Sequence, residues 1–358
     1  MSGAAQAVIL AGGEGTRLRP LTNTRPKPLL PILGKPCVEY VINALTEAGV
    51  EQIFLTCGYR SQDMADYLGD GSRFGTKIEM CFEDKPAGTA GAVKLLEDRL
   101  DGTFVVASGD VLADVDIRSL VSRHNDNRAV ATMALTTVER PEEFGIVGLD
   151  DDGRIQRFKE KPRTEEVFSN LINAGIYVLE KEVLAEVPEG EKYDFSKQLF
   201  PKLLEKGRPL YGATLTGMWK DIGRPHDLLD ANVRMAKLKG RPIHVDGALS
   251  VGNIVATRFQ ARECRIEGPA YIGQDVVLGF ESRLTASAIG DHVVVGNECS
   301  VDDSFIMDQS VLGDGCIVRG SLLGKGCNIG PGVSVENSVL GDGVRLEGPI
   351  SVKDQTLE

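Results

Sequence analysis

The sequence predicts an α/β domain built on a mostly parallel sheet, followed by a three-faced β-solenoid. Three observations carry that reading. Strand-like and helix-like segments alternate from Ala7 to about Lys239, a glycine-rich loop follows the first apolar run, and aliphatic residues recur every seventeen positions from Ile272 onward. The alternation is the βαβ rhythm of a sheet covered on both faces. A fixed short period means stacked repeats, each burying its neighbour's apolar edge.

The elements follow in order. Ala7 to Leu10 is a short apolar run of buried-strand type, and it empties into Gly12, Gly13 and Gly15. Cys37 to Val50 places Val38, Val41, Ile42, Leu45 and Ala48 on one helical face, with Gly49 as the stop. Ile53–Cys57, Ile78–Phe82 and Phe104–Ser108 read as strands, with a helix over Gly91–Leu100 between the last two. A final helix runs from Pro225 to Gly240, with proline at its start and glycine past its end. Arg241-Pro242 then marks a boundary, giving an α/β domain over residues 1–240 and a solenoid over 245–358.

In the second part three aliphatic rows repeat: Ile272, Ile289, Ile306, Leu323, Leu340; Leu278, Val295, Leu312, Ile329, Leu346; and Leu284, Val301, Val318, Val335, Val352. Each row supplies the inward residue of one face. Ser287, Ser304, Ser321 and Ser338 form a fourth ladder, and Cys299, Cys316, Val333 and Ile350 a fifth, whose mixed membership asks only for an apolar filler.

Composition excludes several classes. The 42% hydrophobic content is enough for proper cores, and no apolar run approaches the length of a membrane span. The N-terminus, Met1 to Ala7, lacks the basic and apolar regions of a secretion signal. A net charge of −12 argues against nucleic acid, whose phosphates need clustered cations. Seven cysteines without a Cys-x-x-Cys pair and four scattered histidines argue against zinc and fit a reducing, cytoplasmic setting.

The residues from Leu10 to Thr22, LAGGEGTRLRPLT, are the most informative stretch, closed by Pro26-Lys27-Pro28. A backbone of Leu10, Ala11, Gly12, Gly13 and Gly15 can bring N–H groups against a polyanion, while Arg17 adds a planar fork and Lys27 a compact charge for phosphate oxygens. A P-loop would need Lys-Ser/Thr after the last glycine, where Thr16-Arg17 stands, and a dinucleotide fingerprint would need glycine at Leu18. Asp110, in Ser108-Gly109-Asp110, lies like the glycine loop beyond the end of an apolar strand, where parallel sheets bind ligands.

The segment resembles the signature of the sugar-1-phosphate nucleotidylyltransferases, which make an NDP-sugar and pyrophosphate from a nucleoside triphosphate and a sugar 1-phosphate. The resemblance implies a Rossmann-like nucleotidyltransferase domain, with Arg17 and Lys27 on the phosphates and Mg2+ held by Asp110 and Asp221, the latter in Trp219-Lys220-Asp221-Ile222-Gly223. Further matched segments imply sugar contacts from Gly145, Glu160 and Asn173, and a sugar-phosphate contact from Lys161. The loop Ala87-Gly88-Thr89-Ala90-Gly91 resembles the base-contacting loop of mannose-1-phosphate guanylyltransferases, implying Gly88 and Thr89 as nucleotide contacts and GTP as substrate. Lys85 and Ala87 depart from that pattern and leave room for a thymidylyl- or uridylyltransferase. A non-catalytic relative should have decayed at Arg17, Lys27, Asp110 or Asp221, and all four stand.

The solenoid resembles the left-handed β-helix of hexapeptide-repeat proteins. It reads as an assembly and stability domain, since its terminal coil is an open edge that self-association would cover, making the protein a homo-oligomer. A second, acyltransferase activity would need a positioned base, and only His292 lies within the repeats.

Overall fold

The computed structural model describes residues 4–83 and 85–358; residues 1–3, part of the stretch read above for a leader, lie outside the described residues. The chain divides into two compact units, one of residues up to Glu14 with Cys37–Trp219, the other of Gly15–Pro36 with Lys220–Glu358. This division does not fall at residue 240. It assigns the chain just after the glycines, and the helix Pro225–Lys239, to the unit that holds the solenoid.

The first unit is organised by a nine-stranded sheet among the described residues. We label its strands β1 (Gln6–Ala11), β2 (Gln52–Cys57), β3 (Lys77–Phe82), β4 (Thr103–Ser108), β5 (Ala131–Thr137), β6 (Gly145–Leu149), β7 (Ile155–Glu160), β8 (Leu171–Glu180) and β9 (Leu210–Thr214). The main path is β7-β6-β8-β4-β1-β2-β3, with β5 pairing both β8 and β9. From β4 to β3 every pairing is parallel, as the alternating sequence requires. Beyond β4 the sheet turns antiparallel through β8, β6 and β7. The parallel block read from the alternation is β4-β1-β2-β3, and β5 with β9 adds a further parallel pair beyond it. Strands joined directly, without a crossover helix, can only pair antiparallel, and β6 and β7 are linked by a short turn at Gly153.

Ala7, Val8, Ile9, Val105, Val106 and Ala107 are almost wholly buried, so β1 and β4 are interior strands with both faces covered. The helix Cys37–Glu47 buries Val38, Val41, Ile42 and Leu45 and stops before Gly49, whose φ of 94° suits a residue without a side chain. The helix expected over Gly91–Leu100 is shorter. It spans Thr89–Lys94 and gives way to a 3-10 turn at Glu97–Arg99, which points Leu96 and Leu100 inward and leaves Leu95 exposed.

In the second unit, three parallel sheets of seven, seven and six strands form the solenoid. Ile272 pairs with Ile289, Ile289 with Ile306, Ile306 with Leu323 and Leu323 with Leu340, which is the seventeen-residue step read from the sequence. The inward residues of all three rows are buried or nearly so. The serine ladder also has a physical cause. Each hydroxyl accepts the backbone N–H of the serine one coil on, at 3.0 Å for Ser304 to Ser287, 3.1 Å for Ser321 to Ser304 and 3.0 Å for Ser338 to Ser321. Buried hydroxyls and corner amides satisfy each other.

Candidate active site

In the first unit, β1 and β4 end side by side. The Gly109 N–H donates to the Leu10 carbonyl at 2.8 Å, and a Cβ on Gly109 would lie 2.8 Å from the Ile9 side chain, so glycine is required there. That close approach sets Asp110 beside Leu10 and Ala11 at the start of the glycine loop. Asp110 accepts a hydrogen bond from the Ser108 hydroxyl at 2.5 Å. Gly12 runs past the Glu83 carboxylate, leaving 3.4 Å to an added Cβ, and Gly13 has open space around it.

The loop bearing Gly88 and Thr89 is held from two sides. Glu83 accepts the Ala87 N–H at 3.1 Å, and Asp194 accepts the Thr89 N–H at 3.1 Å. The Thr89 hydroxyl accepts the Phe195 N–H at 3.0 Å, and the Tyr193 carbonyl takes the N–H groups of Ala90 and Gly91. A Cβ on Gly88 would stand 2.7 Å from that carbonyl, at a φ of 76°. Thr89 thus has a structural job as well as its sequence-predicted one.

Gly145 and Glu160 face each other across the β6–β7 pair. A Cβ on Gly145 would come within 2.7 Å of a Glu160 carboxylate oxygen. Burial pushes the Glu160 carboxyl above the usual carboxylate range; the nearby Lys161 and Lys197 oppose that shift and Asp194 adds to it. Lys161 turns away from the strand with φ 43°, its N–H on the Phe144 carbonyl. Asn173 donates to the Tyr177 hydroxyl at 2.9 Å and the Ser196 hydroxyl at 3.1 Å, while its oxygen accepts the Gly175 N–H. Its amide protons therefore point into the protein, and the carbonyl oxygen's remaining lone pair is what it can offer a ligand. Sequence reasoning passed over Glu83, Asp194, Ser196 and Lys197. Asp194 lies 105 residues from Thr89, and no local spacing links them.

The second unit brings together four of the sequence-predicted residues. Gly15, at φ 63°, packs where a Cβ would be 3.0 Å from that of Lys27, and its carbonyl accepts the Thr22 hydroxyl at 2.9 Å. Lys27 is buried, with its ammonium 3.6 Å from Asp221. A Cβ on Gly223 would meet Asp221 at 2.9 Å and the Arg17 guanidinium at 3.4 Å. Arg17, Lys27 and Asp221 thus converge around a glycine, two cations and one carboxylate in a cluster suited to a polyphosphate and its cation. Among the described residues no group of three or more His, Cys, Asp or Glu has metal-binding spacing.

The sequence model of the family described as nucleotidyl transferase matches residues 6–237. The chain belongs to that family. Residues 255–352 match the left-handed β-helix domain described for the EIF2B epsilon subunit. A UTP–glucose-1-phosphate uridylyltransferase from Synechocystis is 38% identical over 289 residues, covering 75% of this chain and 74% of that protein. A mannose-1-phosphate guanylyltransferase from Mycobacterium tuberculosis is 33% identical over 296 residues, 79% of each. A crystal structure of a Bacillus anthracis protein assigned as a glucose-1-phosphate thymidylyltransferase, in complex with sucrose, superposes with a TM-score of 0.58 at 29% identity, covering 63% of this chain and 93% of that one. The protein is therefore an enzyme of the sugar-1-phosphate nucleotidylyltransferase family, with a nucleotidyltransferase domain followed by a left-handed β-helix. No helix among the described residues is long and apolar enough to cross a membrane.

Proposed function

We propose that the enzyme transfers a guanylyl group from GTP to mannose 1-phosphate, releasing pyrophosphate. The loop Gly88-Thr89-Ala90-Gly91, backed by Glu83 and Asp194, carries this choice of base. The attacking phosphate monoester has a second pKa near ~6 and is largely a dianion at neutral pH, so no catalytic base is needed. Rate must come from positioning and from stabilising charge on the departing pyrophosphate. In this reading the glycine backbone from Leu10 to Gly15 takes the nucleotide, and Arg17 and Lys27 take the phosphates that leave. Glu160 and Asn173 accept sugar hydroxyls, the Gly145 backbone lies against the sugar, and Lys161 binds its phosphate.

Asp110 and Asp221 would hold Mg2+. Each carboxylate suits the ion chemically, because Mg2+ takes only one or two protein carboxylates and fills its shell with phosphate oxygens and water. Bound there, it would neutralise the triphosphate and draw charge from the α-phosphorus. We assign the enzyme to the cytoplasm, supported by an odd number of cysteines in a long, core-rich chain, and to a homo-oligomer that covers the open edge of the solenoid. No acyltransferase step is assigned to the solenoid.

A second reading, UTP with glucose 1-phosphate, is favoured by the Synechocystis relative. Pyrophosphate release across a matrix of the common nucleoside triphosphates and sugar 1-phosphates separates the two. GTP with mannose 1-phosphate should give the highest kcat/KM; a clearly higher value for UTP or dTTP with a glucose-type phosphate overturns the guanylyl reading.

A further inference from the structure

The segment that carries Arg17 and Lys27 has little regular structure of its own. It consists of two three-residue 3-10 turns, Thr16–Leu18 and Lys27–Leu29, joined by further tight turns. Turns this short do not hold their shape in water, so the segment's conformation is set by what it packs against. Within its own unit, Lys27 and Arg17 meet the Asp221–Gly223 stretch, and residues 31–33 meet Asn232 of the helix Pro225–Lys239, while the turns between Arg17 and Lys27 lie on the solenoid. The Thr24 hydroxyl donates to Asp342 Oδ2 at 2.5 Å, and the Arg25 guanidinium pairs with the same oxygen. Arg25 also lies 3.8 Å from Met307 Sδ, and the Asn23 amide donates to Glu358 at 3.2 Å. Pro20 covers Gly341 so closely that a Cβ there would lie 3.1 Å from the proline ring.

Asp342 is divided between two tasks. Its Oδ1 accepts the Lys325 N–H of the preceding coil at 2.7 Å. This is an ordinary corner bond, repeated where Asp314 accepts the Asn297 N–H at 2.8 Å. Its Oδ2 serves Thr24 and Arg25 instead. The side chains of Arg25 and Asp342 are only 18% and 16% exposed, so the pair is shielded from the screening that weakens surface ion pairs. Arg25 stands two residues before Lys27 with only Pro26 between, and proline's fixed φ transmits a displacement rather than absorbing it.

We propose that Asp342 of the solenoid is a positioning residue for nucleotidyl transfer, tethering Thr24–Arg25 so that Arg17 and Lys27 are held ready for the triphosphate. The proposal rests on the reading of Arg17 and Lys27 as triphosphate ligands. Asp342 touches no reacting atom itself. The β-helix accordingly sets the geometry of the phosphate-binding segment, in addition to any part in assembly.

The test compares Asp342→Ala with Asp314→Ala in the full-length protein, since each deletes a corner bond to the preceding coil, Asp314 together with its 3.3 Å bond from the Asn297 side-chain amide, and only the first deletes the tether. Asp342→Ala should lower kcat/KM for the nucleoside triphosphate about tenfold, the scale expected of a sub-ångström misplacement. It should leave KM for the sugar phosphate within about twofold and speed amide hydrogen exchange over residues 16–30. Asp314→Ala should do neither. Arg25→Ala should act in the same direction as Asp342→Ala, and the double variant should cost less than the two effects combined, because the ion pair they share cannot be lost twice. Equal kinetic effects of Asp342→Ala and Asp314→Ala, or unchanged exchange over residues 16–30 in Asp342→Ala, overturn the tether. A wild-type chain that releases no pyrophosphate with any nucleotide overturns the reading beneath it, while the exchange comparison still decides the tether.

Discussion

The sheet unit and the solenoid use glycine for opposite ends. In the sheet, Gly109 and Gly145 stand at single places where a backbone must approach a strand or a carboxylate closely, and the residues beside them are candidate ligands. In the solenoid, Gly273, Gly290 and Gly324 stand at equivalent corners, each pressed against the aspartate or backbone of the next coil. Irregularity at the sheet's strand ends makes a candidate site; regularity in the solenoid makes a scaffold. A crowding substitution should therefore be read in kinetics at the sheet glycines and in stability at the solenoid corners.

The largest effect expected is at the proposed metal ligands. Asp110→Asn and Asp221→Asn should each lower kcat by on the order of 10²-fold or more, comparable with losing one strong transition-state contact, with little change in thermal unfolding. Full activity in both would remove the metal assignment and with it much of the contrast. Next comes the glycine pair. In Gly145→Ala the new Cβ meets Glu160 and the Phe158 ring, at 2.7 and 2.9 Å, so kcat/KM for the sugar phosphate should fall about tenfold. In Gly290→Ala the Cβ would meet Asp308 at 2.3 Å, including its backbone nitrogen at 2.7 Å. Overpacking there should cost about 1–3 kcal/mol in denaturant unfolding while leaving KM unchanged.

Glu160 sharpens the comparison through pH. Burial raises its folded-state pKa, so the folded protein binds that proton more tightly than the unfolded chain. Its contribution to stability is complete below the ordinary carboxylate range and is lost as pH rises through the raised pKa. Urea unfolding of wild type and Glu160→Gln over a pH series should show the wild type losing ground in that window. KM for the sugar phosphate should improve in the wild type over the same rise, because the ionised carboxylate is the better hydroxyl acceptor. The smallest effect is expected at His292, half exposed, with Nδ1 3.7 Å from Asp275. His292→Ala should leave nucleotidyl transfer unchanged, and neither protein should turn over acetyl-CoA.

The same contrast governs what could be read from sequence. The seventeen-residue rows were legible because each coil repeats its neighbour's environment. The first coils escaped the pattern, since Ala248 pairs with Cys264 sixteen residues on and Ile266 with Leu284 eighteen on. In the sheet unit, the parallel strands were legible from alternation with helices, whereas the antiparallel half carries no comparable local signal. Arg17, Lys27 and Asp221 were singled out by motif, and their convergence around Gly223 needed coordinates. Asp194 and Asp342 were invisible because their partners, Thr89 and Arg25, are far away in the chain and neither lies in a recognisable spacing.

The serine ladder gives the solenoid a direction. In each step the hydroxyl belongs to the earlier coil and the N–H to the later one, from Ser287 through Ser338 to Gln355. A chain leaving the ribosome N-terminus first therefore presents each new coil with an acceptor already in place. Growth of the column can keep pace with translation, one corner at a time, and a ribosome stalled mid-domain would leave a column whose finished coils already have these amides satisfied.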